Sequence, residues 1–229
     1  MRFSKYEKRG AYHWDQIGKH PIKSNAFVRA RYEICINLLK ASTPPPSKVL
    51  DLGCGDGALT YLLYKAGYRS EGVDTSKLGI YLAKEQHQIR KTDCLFQCKH
   101  SAELPDESYD AIVCSDVIEH VEDFQGLIMD IYRLLKPMGV AVISTPIRIS
   151  KIPTDKEHLT EWFSEDYKQL FDSFSDVRFS QSHPIALMEL MNWGYMRAAI
   201  NLFSLIHNPF FWGKPFRYFA LQYAILKKQ

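Results

Sequence analysis

Val49-Leu50-Asp51-Leu52-Gly53-Cys54-Gly55-Asp56-Gly57 decides the fold of this 229-residue chain. Val49, Leu50 and Leu52 read as a buried strand, which three glycines at alternate positions then end abruptly. Glycine tolerates positive φ and lets a ligand lie against bare backbone, so such a turn is built to hold something close. Ala58 to Lys65 is helix-compatible, and a helix beginning there would aim unpaired N–H groups at the ligand. Gly72-Val73-Asp74 follows as a second short strand ending in a carboxylate. An acidic residue at that position suits the two hydroxyls of a ribose, so a nucleoside-containing cofactor is expected.

Glycine spacing narrows the cofactor. Dinucleotide sites use G-x-G-x-x-G over a pyrophosphate. Here the pattern is G-x-G-x-G, with Asp51 and Asp56 on either side. Two carboxylates repel a pyrophosphate but attract an ammonium or a sulfonium, and S-adenosylmethionine carries both. With D-x-G-C-G-x-G and Asp74 on the page, the chain resembles the class I S-adenosylmethionine-dependent methyltransferases, small-molecule type, similar to the quinone-pathway O-methyltransferases. Further landmarks of that family follow in order. They are Ser101-Ala102-Glu103-Leu104-Pro105, then Ser108-Tyr109-Asp110-Ala111-Ile112-Val113-Cys114, then Leu134-Leu135-Lys136-Pro137-Met138-Gly139 before a strand at Val140–Thr145. The resemblance covers about residues 45–175.

The resemblance implies an α/β fold: a Rossmann-like sheet, parallel with an antiparallel last strand, and helices on both faces. It assigns to the cofactor site Asp51, Gly53, Cys54, Gly55, Asp56, Gly57, Asp74, Thr75, Ser101, Ala102, Ser115 and Asp116. Asp74 takes the ribose. Ser101 stands where relatives usually place an Asp on the adenine amino group.

Composition sets the bounds. At 46% apolar, the chain is long enough for one well-buried domain with a modest elaboration. Met1-Arg2-Phe3-Ser4-Lys5 lacks an apolar core, and no 18 apolar residues run together, so neither a secretory signal nor a transmembrane helix is expected. Five cysteines without C-x-x-C point to reduced thiols and a cytoplasmic location. The net charge of +3 hides an asymmetry: residues 1–48 carry ten Lys/Arg against three acids, whereas 103–130 carry nine acids and no Lys or Arg. An acidic rim suits a sulfonium cofactor, and a basic arm suits an anionic substrate. So mild a balance gives no argument for nucleic acid as a partner.

Pro44-Pro45-Pro46 separates an N-terminal helical arm, residues 1–46, from a methyltransferase core over 47–184. Within the arm, Ala26–Lys40 has helical apolar spacing, and Tyr6, Tyr12, His13 and Trp14 form an aromatic stretch. In relatives such a segment folds over the cofactor as a lid. Residues 185–215 are an insertion rich in Met188, Met191, Trp193, Tyr195, Met196, Phe203, Phe210, Phe211 and Trp212. It is expected to cap a lipophilic or ring-shaped substrate, a dimer contact or a membrane-surface contact through 185–213 being the alternatives. Residues 216–229 complete the sheet.

The methyl group of S-adenosylmethionine is already activated, so positioning in a dry site does most of the work. An oxygen acceptor must still lose a proton, and His120, just after the fourth strand, is the candidate base, with His158 second. Oxygen is favoured as the target because Cys114-Ser115-Asp116-Val117 is not the N/D-P-P-Y/F motif of nitrogen methylation. Asp116, Glu119, His120 and His158 also resemble the E-x-x-E-H…H metal set of small-RNA and quinone-pathway O-methyltransferases. Many relatives keep E-H without an ion, so the reading adopted assigns no metal. The expected activity is methyl transfer to a small-molecule or lipid-linked acceptor, on a sugar or phenolic oxygen. Metal-assisted RNA or quinone methylation and a non-catalytic cofactor-binding subunit are the alternatives.

Overall fold

The computed structural model describes residues 5–20, 22–150, 155–213 and 216–229. In chain order the helices and strands begin with α1 (Lys5–Arg9), α2 (Tyr12–Ile17) and α3 (Ala26–Lys40), then β1 (Lys48–Leu52), α4 (Ala58–Lys65), β2 (Arg69–Asp74) and α5 (Lys77–Ile89). There follow β3 (Leu95–Cys98), β4 (Tyr109–Ser115), α6 (Phe124–Leu134) and β5 (Leu135–Pro146). The chain closes with α7 (Ser164–Lys168), β6 (Asp176–Pro184), α8 (Ile185–Met191), α9 (Gly194–Phe203) and β7 (Phe219–Lys227).

These strands form one seven-stranded sheet in the order β3-β2-β1-β4-β5-β7-β6. The first five are parallel, and β7 enters antiparallel between β5 and β6. Strand order reverses between β1 and β4, which opens a crevice outside their carboxyl ends. The apolar runs of β1 and β4 do not alternate with polar residues because both faces of the sheet are covered. Leu50, Leu52, Ile112 and Cys114 pack on the α6–α7 side, whereas Val49, Ala111 and Val113 pack on the side of α3 and α4.

α3 is a full layer of this core. Asn25 caps it by accepting from the Phe27 N–H at 3.0 Å, and Val28, Tyr32, Cys35, Ile36 and Leu39 meet the sheet. The insertion packs on the start of the same helix. Asn201 Oδ1 accepts from the Ala26 N–H at 2.8 Å, and Asn208 Nδ2 donates to the Ala26 carbonyl at 2.9 Å.

One local expectation needs correction. The fifth strand begins at Leu135 rather than Val140, because Tyr109 pairs with Leu135 before the register slips to Ala111–Val140. Lys136 to Gly139 form an irregularity inside that strand, with Met138 at φ 65° and Lys136 Nζ held 2.7 Å from Asp110. Ser164 opens α7, and its hydroxyl accepts from Gln181 Nε2 at 2.8 Å. The insertion's helical part ends at Phe203, and Asn208 caps a short turn at Pro209–Phe211.

Candidate active site

A cavity of about 1610 Å³ fills the crevice at the carboxyl ends of β1, β2 and β4. The first residues of the glycine turn, Gly53 and Cys54, form part of its floor, and Gly53, Gly55 and Gly57 all take positive φ (78°, 52° and 79°). A side chain at Gly53 would strike Val117 Cγ2 at 2.4 Å, and one at Gly55 would land 1.8 Å from the Tyr6 hydroxyl. Gly53 and Cys54 both donate to the Val73 carbonyl, at 2.8 and 3.1 Å, so the turn is sewn to β2.

Asp51, Gly53 and Cys54 line the cavity, while Gly55, Asp56 and Gly57 stand outside its wall. Asp56 is fully buried and holds the N-terminal segment: its carboxylate accepts from the His13 N–H at 3.0 Å and lies 3.1 Å from His13 Nδ1. Its carbonyl accepts from Trp14 Nε1 at 2.7 Å. Asp51 is almost wholly buried, takes the Thr60 hydroxyl at 2.6 Å, and is pushed up to about 7 by burial.

Asp74 lines the cavity at the end of β2. One oxygen accepts from the Gly55 N–H at 2.9 Å and the other from the Ser76 N–H at 2.7 Å. Burial raises its pKa. Thr75 continues this wall, and Ser101 and Ala102 close that end of the cavity. Ser101 does not present a carboxylate, but its hydroxyl donates to Asp130 Oδ2 at 2.7 Å, and Asp130 itself lines the cavity. Asp130 stands on α6, and sequence spacing gave no sign of this pairing.

The opposite end gathers Ser115, Asp116, Glu119, His120, His158 and Arg31. Arg31 went unread in the sequence, although an arginine three residues after Val28 and four before Cys35 sits on an apolar helical stripe. Its guanidinium, buried in the wall, pairs with Asp116, whose other oxygen accepts from the Ser144 hydroxyl at 3.0 Å. Ser115 and Ser144 hydroxyls are 2.9 Å apart.

His120 and His158 come together with ring centroids 4.9 Å apart. His120 Nδ1 lies 2.9 Å from the Glu157 carbonyl, which can only accept, so the proton sits on Nδ1 and Nε2 carries the lone pair. Burial lowers the pKa of His120, the nearby His158 and Lys5 acting in the same direction. His158 Nδ1 is 2.6 Å from the buried carboxylate of Glu161. The loop bearing these groups is clasped at both ends. Leu159 and Thr160 donate to the Glu119 carbonyl at 2.8 and 3.2 Å, and Lys5 of α1 bridges Asp155 and Glu157 at 3.3 and 2.9 Å.

One carboxylate oxygen of Glu119 and one nitrogen each of His120 and His158 lie within 4.8 Å of one another. Glu119 is fully buried, and its Oε1 has no hydrogen-bond partner among the described residues. Three of the four groups singled out for a cation thus converge. Asp116 does not join them, because Arg31 holds it.

Among the described residues, the insertion meets the cavity at its root, through Ile185, Met188 and Glu189. Met191 and Phe210 pack inward against α3, while Trp193, Tyr195, Phe203, Phe211 and Trp212 are exposed. Among the described aromatic residues of the insertion, none lines the cavity.

Comparison with known proteins adds to this geometry. A family model described as "Methyltransferase domain" matches residues 26–207. The chain is 32% identical over 150 residues to the ubiquinone biosynthesis O-methyltransferase of Rickettsia typhi, covering 64% of this chain and 61% of that protein. Its counterpart from Coxiella burnetii is 33% identical over 135 residues, covering 58% and 56%. The chain thus spans about three-fifths of the length of these curated relatives. Among solved structures, a putative sarcosine dimethylglycine methyltransferase from Galdieria sulphuraria superposes with a TM-score of 0.69 at 17% identity, covering 100% of this chain and 99% of that one. Haemonchus contortus phosphoethanolamine N-methyltransferase 2, solved with S-adenosyl-L-methionine, gives 0.68 at 18% identity, covering 100% and 60%. At those identities the structures speak for the fold alone. Sheet order, glycine turn and family match agree, and the chain belongs to the methyltransferase-domain family with the class I, Rossmann-like fold.

Proposed function

We propose that this chain moves a methyl group from S-adenosylmethionine to an oxygen of a small acceptor, a phenol or a sugar, free or lipid-linked. The observation that carries the proposal is the single cavity running from Asp74 at one end to His120 at the other. In this reading the carboxylate of Asp74 takes the ribose hydroxyls, and Ser101 with Asp130 faces the adenine amino group. Asp51 faces the donor's ammonium, and Gly53 and Cys54 let it lie against backbone. Thr75, Ser115, Ala102 and the Arg31–Asp116 pair shape the walls around it. The donor supplies an electrophilic methyl on a positive sulfur, which leaves as a neutral thioether.

The protein's own part is orientation and one proton. His120 Nε2 accepts the acceptor's hydroxyl proton as the oxygen takes the methyl, and the Glu157 carbonyl keeps the ring in the tautomer that can do so. The names of the relatives, ubiquinone biosynthesis O-methyltransferases, support an oxygen target. A second reading is favoured by the convergence of Glu119, His120 and His158. There a divalent ion would be held by two imidazoles and a carboxylate, with Glu161 orienting His158, and would lower the pKa of a bound hydroxyl.

Calorimetry tests both readings. S-adenosylmethionine and S-adenosylhomocysteine are titrated into the wild type and Asp74→Ala, with and without a chelator. Micromolar binding, weakened by about 1–3 kcal/mol in the variant, is expected. Absence of binding in every condition overturns the proposal. Methyl transfer that a chelator abolishes, with donor binding intact, moves the assignment to the metal-assisted reading.

A further inference from the structure

The insertion carries far more apolar surface than its packing uses. α8 and α9 bury Leu187 and Ile200 against Ala26, Ala30 and Phe210. On the same two helices and the turn between them, Leu190, Trp193, Tyr195, Leu202 and Phe203 are exposed, and Ile206 just beyond is 91% exposed. The loop before α3 adjoins this face. Asn201 Nδ2 donates to the Ser24 carbonyl at 2.7 Å, and the Arg29 guanidinium spans the carbonyls of Gly18 and Asn201 at 3.2 and 3.1 Å. That loop displays Ile22, 72% exposed, between exposed Lys19 and Lys23.

Charge is sorted along with the apolar residues. Residues 185–229 contain one acid, Glu189, which lines the cavity, and residues 16–32 contain none. Lys19, Lys23, Arg197 and Arg217 are all exposed. A second copy of the chain would set this basic rim against itself. An anionic bilayer complements it, and Trp and Tyr among aliphatic side chains are the residues that settle at headgroup level. A small groove of about 350 Å³, lined by Ile185, Ala186, Phe216, Arg217 and Tyr218, lies at the root of the face, and Ile185 also lines the main cavity.

We propose that the outer face of α8 and α9, with the loop at Ile22, docks on an anionic lipid surface. Docked so, the cavity wall formed by Ile185 and Met188 stands close to the bilayer, and the acceptor is one with a polar ring on an apolar tail. Only this last clause rests on the methyl-transfer reading.

Vesicle flotation of the full chain tests the docking. Vesicles of phosphatidylcholine mixed with phosphatidylglycerol are compared with phosphatidylcholine alone. The wild type is expected to float with the anionic vesicles and to be released as salt rises. Lys23→Ala and Arg197→Ala should each lower partition by about fivefold, and Ile206→Asp should do more. Equal binding to both vesicles overturns the charge argument. No vesicle binding, with concentration-dependent dimers in sedimentation velocity, assigns the face to a second copy and overturns the proposal. Calorimetry with S-adenosylmethionine on the same samples separates the two claims. Wild type that floats but binds no donor keeps the surface and loses the reaction, and the reverse result does the opposite.

Discussion

Replacing Asp51 by Asn removes an ionisable carboxyl from the end of β1 while keeping its shape and its ability to accept from the Thr60 hydroxyl. The wild-type carboxyl is almost wholly buried, and burial pushes it from 3.8 to about 7. A folded-state pKa above the unfolded one means the folded protein binds the proton more tightly. The associated stability is fully present below pH 3.8 and is lost as pH rises to about 7. Across that interval, at about 1.4 kcal/mol per pH unit, the loss is about 4 kcal/mol. Urea unfolding of the wild type and Asp51→Asn at pH values from 4 to 8 measures it, because the other titrating groups cancel in the difference. Asp51→Asn should gain about 4 kcal/mol relative to wild type between the ends of the range. A difference that stays flat with pH would refute the claim that burial controls this carboxyl.

Other consequences follow from the same site. Asp56→Ala should cost about 1–3 kcal/mol in thermal unfolding, because it leaves the half-buried His13 N–H without its acceptor. If stability held and only donor affinity fell, the clasp assigned to Asp56 would be wrong. Gly55→Ala places a methyl 1.8 Å from the Tyr6 hydroxyl, whereas without that oxygen the next atom is 3.0 Å away. A double-mutant cycle with Tyr6→Phe should therefore recover part of the loss, with a coupling of about 0.5–3 kcal/mol. Strict additivity would remove Tyr6 from the turn. His120→Gln should lower kcat by about 10²–10⁴ and abolish the acid limb of the rate profile, which burial of the imidazole places below pH 6.5. An unchanged profile would take the base role from His120.

Several elements were legible because they are decided over a few residues. α3 and α4 run over Ala26–Lys40 and Ala58–Lys65, as apolar spacing and the glycine turn indicate. The three glycines take positive φ because no other residue does so at little cost. Asp74 follows from its place at the end of the second strand. The companion residues were harder to read. Asp56 pairs with His13 across 43 positions, Arg31 with Asp116 across 85, and Ser101 with Asp130 across 29. A carboxylate beside a glycine turn attracts a ligand's cation or a histidine in an arm by the same electrostatics, and only packing selects between them.

The insertion makes the same division. Its Met and aromatic content is plain in the chain, and so is its single acid. Which side chains turn inward is set by the seating of Asn201 and Asn208 on the start of α3, and that leaves Trp193, Tyr195 and Trp212 outside. The sequence by itself determined the sheet, the glycine turn and the carboxylate that ends the second strand, because steric limits and strand periodicity act locally. Tertiary structure alone decided the partner of each buried charge and the outward face of the insertion, since those depend on which distant segments exclude water from one another.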